Sequence, residues 1–140
     1  MTNKKNNFTL APELKRDTIP LKSINGNPLS LCYLGLMNDQ RFPWLILAPQ
    51  QPNLIEIIDL DKENQLKLME EISLISKEMK QIFSPDKLNI AALGNMVSQL
   101  HIHIIARYKN DEAWPNPIWG QGQVNPYKKE EKIKMIERLE

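Results

Sequence analysis

Apolar positions recur along the chain with two spacings, which predict strands in some stretches and helices in others. Short, largely apolar runs predict strands at Leu29–Met37 and Trp44–Ala48. Both faces of these strands are apolar, so we expect other parts of the protein to cover both faces. The polar loop 38–43 between them is short, so we expect these two strands to pair antiparallel. Further strands are predicted at Lys87–Leu93 and Leu100–Tyr108.

An apolar residue at every third or fourth position predicts a long helix from a cap at Asp61 to about Phe83. The apolar stripe of this helix consists of Leu68, Ile72, Ile75, Met79 and Ile82. Charged residues are expected largely off the stripe, namely Glu63, Glu70, Glu71, Lys77, Glu78 and Lys80. We interpret the stripe as core that covers a sheet, because the helix is too short for a sustained coiled-coil seam.

The two ends of the chain carry weaker signals. Thr9–Asp17 predicts a short helical turn capped by Thr9, and Ser23–Pro28 predicts a tight turn at Asn25-Gly26. Asn125-Pro126 predicts the start of a terminal helix. The inward residues of this helix are expected to be Ile133, Ile136 and Leu139. Together the elements predict one α+β domain over residues 1–140. Residues 1–8 are expected to be disordered, the core spans about 18–108, and the C-terminal segment and helix span 109–140.

Composition narrows the function classes. Lys plus Arg is 18 and Asp plus Glu is 17, so the net charge of +1 disfavours binding to duplex nucleic acid. No apolar run approaches the roughly 18 residues of a membrane span, and the N-terminus lacks the apolar core of a secretory signal. The single cysteine, Cys32, excludes an intramolecular disulfide framework and fits a small core residue. We therefore expect a cytoplasmic protein without membrane contact.

The two histidines of the chain lie two residues apart on the fourth main strand. Side chains alternate along a strand, so Gln99, His101 and His103 share one face. A polar face on a buried strand leaves three interpretations: hydrogen-bonded structural histidines, a catalytic imidazole pair, or a metal-binding pair. The metal interpretation is the weakest, because zinc takes three or four ligands and no further histidine exists.

A glycine-led segment directly precedes this strand, with the sequence Gly94-Asn95-Met96-Val97-Ser98. Glycine permits positive φ, and such a turn can direct backbone N–H groups toward an anion. The same pattern also occurs in ordinary hairpin turns. Its position beside two imidazoles favours a site of phosphate size.

Residues 94–105, GNMVSQLHIHII, resemble the signature of the histidine triad (HIT) family, in which histidines alternate with apolar residues after a glycine-led phosphate loop. The strand FPWLILAP at 42–49, the long helix and the Trp114-Pro115 segment also fall where that family has them. The resemblance covers about residues 30–120. It implies an α+β fold with an antiparallel sheet of about five strands, a long central helix and a C-terminal helix.

The resemblance also implies a nucleotide-binding homodimer that hydrolyses or transfers nucleotides at the α-phosphate, without a metal or other cofactor. By position, His101 is the expected nucleophile, and His103 takes the role of bonding phosphate oxygens. Gln99 stands at the first triad position, where the family has histidine, and Trp44 stands where many relatives carry a fourth. Gln99 is expected to hydrogen-bond a phosphate oxygen or to orient His101, but it cannot supply a proton to a leaving group.

Further substrate-binding candidates follow from the resemblance, each with a plainer alternative. The loop residues Gly94, Asn95, Met96, Val97 and Ser98 are expected at the phosphate, and Trp44 at the site. Asn89 is expected to lie near the bridging oxygen of the substrate, or else to be a polar residue at a strand edge. Arg107 is expected to contact phosphate, or else to be a surface residue in solvent. Asn38 or Asp39 binds ribose or forms a turn. The segment Trp114–Gly120 is expected to form a wall of the base pocket or to contact a partner subunit. Its alternative is a purely structural role in packing within the domain.

Three functions therefore compete: an enzyme acting on phosphoramidates or dinucleoside polyphosphates, a nucleotide-binding module without catalysis, and a metal-dependent enzyme using the His-x-His pair. The first is favoured by the intact His101 and His103, and the second by Gln99 and Trp44. Activity that survives a chelator separates the third from the first.

Overall fold

The computed structural model describes residues 7–140. The sequence predicts disorder for residues 1–8, and residues 1–6 of this segment lie outside the described range. Three helices are formed: α1 (Pro12–Asp17), α2 (Lys62–Phe83) and α3 (Lys129–Leu139). Five strands are formed, β1 (Thr18–Pro20), β2 (Cys32–Met37), β3 (Trp44–Pro49), β4 (Lys87–Ala91) and β5 (Ile102–Arg107), and a 3-10 helix lies at Ile57–Asp59. No helix within residues 7–140 is long and apolar enough to cross a membrane.

The five strands form one sheet in the order β1-β2-β3-β5-β4, and every neighbouring pair is antiparallel. This confirms the predicted α+β fold. The four main predicted strands are present: β2, β4 and β5 are shorter than predicted, and β3 extends one residue further, to Pro49. β5 lies between β3 and β4, so its backbone is paired on both sides. Backbone hydrogen bonds along both edges therefore hold β5 in place. A strand fixed in this way is a rigid support for the side chains of a site.

One face of the sheet is covered by α2. The predicted cap is present, because the Asp61 carboxylate accepts a hydrogen bond from the Asn64 N–H at 2.9 Å. The stripe residues Leu68, Ile72, Ile75 and Met79 are buried. They pack with Leu100, Ile102 and Ile104 in the larger of two apolar clusters. Burial of this stripe against the sheet stabilises the fold mainly through the hydrophobic effect.

Two of the six charged residues expected largely off the apolar stripe of α2 are nevertheless buried beside it. Glu71 and Glu78 are 4% and 7% exposed. The Glu71 carboxylate accepts hydrogen bonds from the backbone N–H groups of Ser30, Leu31 and Cys32 at 2.8–3.0 Å. These backbone donors lie where the chain enters β2. Their hydrogen bonds compensate for the cost of burying the Glu71 carboxylate.

The other face of the sheet carries a second apolar cluster, formed by Leu14, Phe42, Trp44, Ile46, Ile105, Ala113 and Ile118. The segments before β1 and after β5 cover this face, instead of a long helix. The predicted histidine pair lies on this side, because His103 is in register with Ile46 of β3. Both faces of β5 are thus buried, as the apolar character of the strands predicts.

Element boundaries at the two ends differ from the sequence prediction. α1 begins at Pro12 with Ala11 at its N-cap, so Thr9 is not the cap. α3 begins at Lys129, not at Asn125-Pro126. The Asn125 carbonyl instead accepts a hydrogen bond from the Gln40 N–H at 2.7 Å, which keeps this segment extended against the β2–β3 loop. In α3, Leu139 is buried as predicted, whereas Ile133 is 45% exposed.

The predicted turn at Asn25-Gly26 is present. Both residues have positive φ, 46° and 77°, and Ile24 bridges Asn27 across the turn. Two successive residues in the left-handed region are typical of a type I′ turn, for which Asn-Gly is the favoured pair.

Candidate active site

Side chains alternate between two faces from Leu100, just before β5, into the first half of this strand, and the alternation separates apolar from polar residues. Leu100, Ile102 and Ile104 join the cluster under α2, while His101 and His103 point to the opposite face. Their rings stand edge to face with centroids 4.8 Å apart. His101 is 6% exposed and His103 is 5% exposed, so each imidazole needs a partner within the protein.

The backbone two residues upstream orients His101. Its Nδ1 lies 2.7 Å from the carbonyl oxygen of Gln99. A carbonyl only accepts hydrogen bonds, so Nδ1 carries the proton. Nε2 of the neutral ring therefore keeps its lone pair, which is the state required of a nitrogen nucleophile.

The opposite tautomer is set at His103. The indole Nε1–H of Trp44 donates to His103 Nδ1 at 3.0 Å, and indole nitrogen is a donor only. The proton of the neutral His103 ring therefore lies on Nε2. Burial and, as the smaller cause, the nearby His101 together lower the pKa of His103 to about 3. His103 is thus a neutral hydrogen-bond donor at physiological pH.

Aromatic rings complete the surroundings of His103. Trp119 stands edge to face with it at a centroid distance of 5.1 Å, and Trp44 lies at 5.7 Å. Trp119 belongs to the aromatic segment predicted to wall a pocket. The other tryptophan of that segment, Trp114, lies elsewhere, with the Arg107 guanidinium 5.6 Å above its ring.

A cavity of about 660 Å³ opens beside the two imidazoles. Its wall contains ten residues named as candidates from the sequence, namely Asn38, Asp39, Trp44, Gly94, Asn95, Met96, Val97, His101, His103 and Trp119. Gly94 has the expected positive φ, at 70°, which turns the loop between β4 and β5 over the site. The volume lies within the range of about 300–1,000 Å³ that is common for small-molecule sites.

His101 also borders a second, smaller cavity of about 390 Å³. Its wall includes Ile57, Leu93, Gly94 and Leu100. The two cavities share His101, Leu93 and Gly94, so an atom bonded near the His101 ring has space on two sides.

Arg107 and Asn89 are not in the wall of either cavity. Arg107 is 1% exposed, and its Nε and Nη2 donate to the two carboxylate oxygens of Asp111 at 2.8 and 3.1 Å. Its Nη1 donates to Asn89 Oδ1 at 2.7 Å. Burial disfavours the Asp111 carboxylate, but Arg107 and three backbone N–H groups outweigh it and lower the pKa to about 2. This buried ion pair holds the chain after β5 and leaves neither predicted side chain available at the cavities.

Gln99 and Ser98 are also absent from both cavity walls. Ser98 is exposed. The Gln99 side chain instead binds the backbone of Thr9 and Ala11, which sequence reasoning did not anticipate.

Several wall residues were missed from the sequence, most notably Leu14, Arg16 and Asp17 around α1, with Met37, Val124 and Pro126. Asp39, named as an alternative to Asn38, also lines the cavity and binds Arg41 Nη2 at 2.8 Å. No motif marks α1, so only its apolar Leu14 between polar neighbours signalled a buried face. Within the described residues, no group of three or more His, Cys, Asp or Glu side chains is placed to hold a metal ion.

The antiparallel sheet and the imidazole pair beside a glycine turn together form the kind of domain that the sequence signature at residues 94–105 implies. Residues 27–110 match the model of the HIT domain, so the chain belongs to the histidine triad family. Proteins of this family bind nucleotides and are generally nucleotide hydrolases or transferases. A search of the curated proteins found no significant match.

Solved histidine triad proteins share the fold over nearly the whole chain. One from Bradyrhizobium japonicum is 45% identical, covers 94% of each chain and superposes with a TM-score of 0.87. One from Sinorhizobium meliloti is 41% identical, covers 96% of each chain and has a TM-score of 0.88. One from Marinobacter aquaeolei is 42% identical with a TM-score of 0.87, covering 94% of this chain and 92% of its own.

Proposed function

We propose that the protein is a hydrolase or nucleotidyltransferase that cleaves a nucleoside phosphoramidate or a dinucleoside polyphosphate at the α-phosphate. The reaction passes through a covalent nucleotidyl-His101 intermediate. One observation carries this proposal: the Gln99 carbonyl holds the proton of His101 on Nδ1, at 2.7 Å, and so keeps the Nε2 lone pair for attack. His101 stands in the wall of both cavities, where phosphorus can approach it.

In the first step, the Nε2 lone pair of His101 forms a bond to the α-phosphorus, and the bond from phosphorus to the leaving nitrogen or oxygen breaks. The leaving group takes the electron pair of that bond. The imidazole then carries positive charge, which the Gln99 carbonyl stabilises through the Nδ1–H bond. In the second step, water or another acceptor attacks phosphorus and loses a proton to solvent, which balances the proton that the leaving group takes from solvent. The P–N bond breaks, and its electrons return to Nε2.

Charge that develops on the phosphoryl oxygens needs donors that are already oriented. His103 supplies one, because Trp44 holds its proton on Nε2 and its lowered pKa keeps the ring neutral. The loop Gly94–Val97, which turns over the cavity, supplies backbone N–H groups as further candidates.

The larger cavity is proposed to hold the nucleotide, with Asn38 and Asp39 toward the ribose and Trp44 and Trp119 beside the base. The smaller cavity on the other side of His101 has room for the leaving group. No cofactor enters this scheme, and we place the protein in the cytoplasm with its nucleotide substrate.

Turnover of adenosine phosphoramidate and of a diadenosine polyphosphate tests the proposal. His101→Ala should reduce kcat/KM by at least about 1,000-fold, because the nucleophile is lost. AMP binding by calorimetry should persist, since the remaining wall is unchanged. Glu70→Gln, on the exposed side of α2, serves as the control and should retain full activity. Unaltered turnover of both substrates in His101→Ala would contradict the proposal.

A second candidate function is a nucleotide-binding module without catalysis. The placement of Gln99 favours it, because both atoms of the side-chain amide bind backbone at Thr9 and Ala11 instead of facing the cavity. This candidate predicts micromolar AMP or GMP binding with no hydrolysis over hours. Robust turnover in the presence of a chelator, removed by His101→Ala, excludes both this candidate and a metal-dependent enzyme.

We also propose that the protein is a homodimer in which the sheets of two subunits join. β4 is an edge strand of the sheet, and Ile90 on it is 50% exposed. An open edge with an exposed apolar residue is suited to pairing with a second copy. Light scattering should give twice the chain mass of 16.3 kDa, and Ile90→Lys should shift it toward the monomer.

A further inference from the structure

The side-chain amide of Gln99 forms two hydrogen bonds with a distant stretch of backbone. Its Oε1 accepts from the Ala11 N–H at 2.8 Å, and its Nε2 donates to the Thr9 carbonyl at 2.9 Å. A carboxylate has no donor for Thr9, and the two nitrogens of an imidazole point in divergent directions. Glutamine therefore suits this double contact better than the histidine that the family carries at the same position.

The bound stretch leads directly into one wall of the larger cavity. Ala11 is the N-cap of α1, and Leu14 on the first turn is 3% exposed within the cluster on the site face. Leu14, Arg16 and Asp17 line the cavity that contains both histidines. Among the lining residues that the structure describes, Arg16 is the only lysine or arginine.

We propose that Gln99 is a positioning residue that fastens residues 9–17 as a wall of the nucleotide cavity. Gln99 thereby contributes to substrate binding through this wall and takes no part in the chemical step. This inference rests on the proposed function, because the wall matters to catalysis only if the cavity holds a nucleotide.

The inference separates KM from kcat. In Gln99→Leu the side chain keeps a similar size but loses both hydrogen bonds. The KM for adenosine phosphoramidate and the Kd for AMP should each rise about tenfold, which lies between the losses expected for one and for two ordinary net hydrogen bonds. kcat should change less than twofold, because the backbone carbonyl that orients His101 remains.

Two further variants sharpen the test. Gln99→His restores the histidine of the triad signature, and it should raise KM in the same way without raising kcat. Gln99→Glu keeps the acceptor for Ala11 but lacks the donor for Thr9, so its KM should fall between those of wild type and Gln99→Leu. Lys15→Arg is the matched control, because Lys15 lies on α1, is exposed and is absent from the cavity wall.

Amide hydrogen exchange at Ala11 reports the contact without any activity. The Ala11 N–H should exchange slowly in wild type and in Lys15→Arg, and faster in Gln99→Leu. Unchanged exchange in Gln99→Leu would overturn the contact itself. A fall in kcat at constant KM would overturn the positioning role and place Gln99 at the reacting phosphate. If wild type binds no nucleotide while Ala11 exchange responds as expected, the proposed function fails and the ligand-binding role of the wall fails with it.

Discussion

The buried imidazole of His103 should make the protein lose stability in mild acid. Its pKa in the folded state is about 3, while an unfolded histidine titrates near 6.5. Between these values the unfolded chain binds a proton that the folded chain does not. The free energy of unfolding therefore falls as pH falls through this window, by about 1.4 kcal/mol per unit.

The size of this loss between two accessible pH values follows from the folded and unfolded pKa values of His103. Between pH 7.5 and pH 5.0, the difference in proton binding at His103 removes about 2 kcal/mol from the free energy of unfolding. Any folded-state pKa below about 4 gives nearly the same loss, because the unfolded state dominates the titration in this interval. Asp111, with a pKa of about 2, stays ionised throughout the interval and adds no comparable dependence.

Urea unfolding at pH 7.5 and pH 5.0 measures this loss directly. His103→Asn has no imidazole at this site, so its stability should fall by about 2 kcal/mol less than that of wild type. His101→Asn keeps His103 and should keep most of the loss, because burial is the larger cause of the lowered pKa. Equal losses in wild type and His103→Asn would refute the idea that His103 is held neutral.

Three other substitutions test the buried polar contacts. Trp44→Phe removes the indole donor from a buried imidazole nitrogen and should cost about 1–3 kcal/mol in urea unfolding, more than the loss of ring area alone. Glu71→Gln replaces a charged acceptor of several backbone N–H groups and should cost about 2–3 kcal/mol, while Glu70→Gln at the exposed neighbour costs less than about 0.5. Asp111→Asn leaves Arg107 buried without its counter-charge and should cost about 3–5 kcal/mol at pH 7. Because the pKa of Asp111 is lowered to about 2, the stability it contributes is present above the unfolded pKa of about 4 and is lost as pH falls through 2.

Periodic patterns in the sequence predicted the parts of the fold that are governed by local physics. The stripe at Leu68, Ile72, Ile75 and Met79 and the cap at Asp61 located α2 correctly. The alternation predicted for Leu100–Tyr108 placed both histidines on one face, as the structure shows them, although β5 itself begins only at Ile102. Such signals suffice because helix and strand periods determine which side chains share a face.

Contacts between distant segments were the part that could not be predicted. Glu71 was expected off the apolar stripe, since a buried charge is costly unless it is paired, and the donors at residues 30–32 lie some 40 positions away along the chain. Arg107 is buried for the same reason, through Asp111 and Asn89. Gln99 was expected at phosphate because nothing in the sequence pairs it with Thr9 and Ala11.

The start of α3 shows a different limit. Asn125-Pro126 has the composition of a helix start, but tertiary hydrogen bonds to the β2–β3 loop hold Asn125 in an extended segment. A capping signal of about 1 kcal/mol is readily overridden by such contacts.

Mass spectrometry of the reacting protein tests the central claim most directly. Wild type is mixed rapidly with an equal amount of adenosine phosphoramidate and quenched in alkaline denaturant, because a nucleotidyl-histidine is labile in acid. We expect one added AMP per chain, mapped to the peptide that contains His101, with none in His101→Ala. Turnover during the same mixing time with no adduct, or an adduct on any other residue, would contradict it.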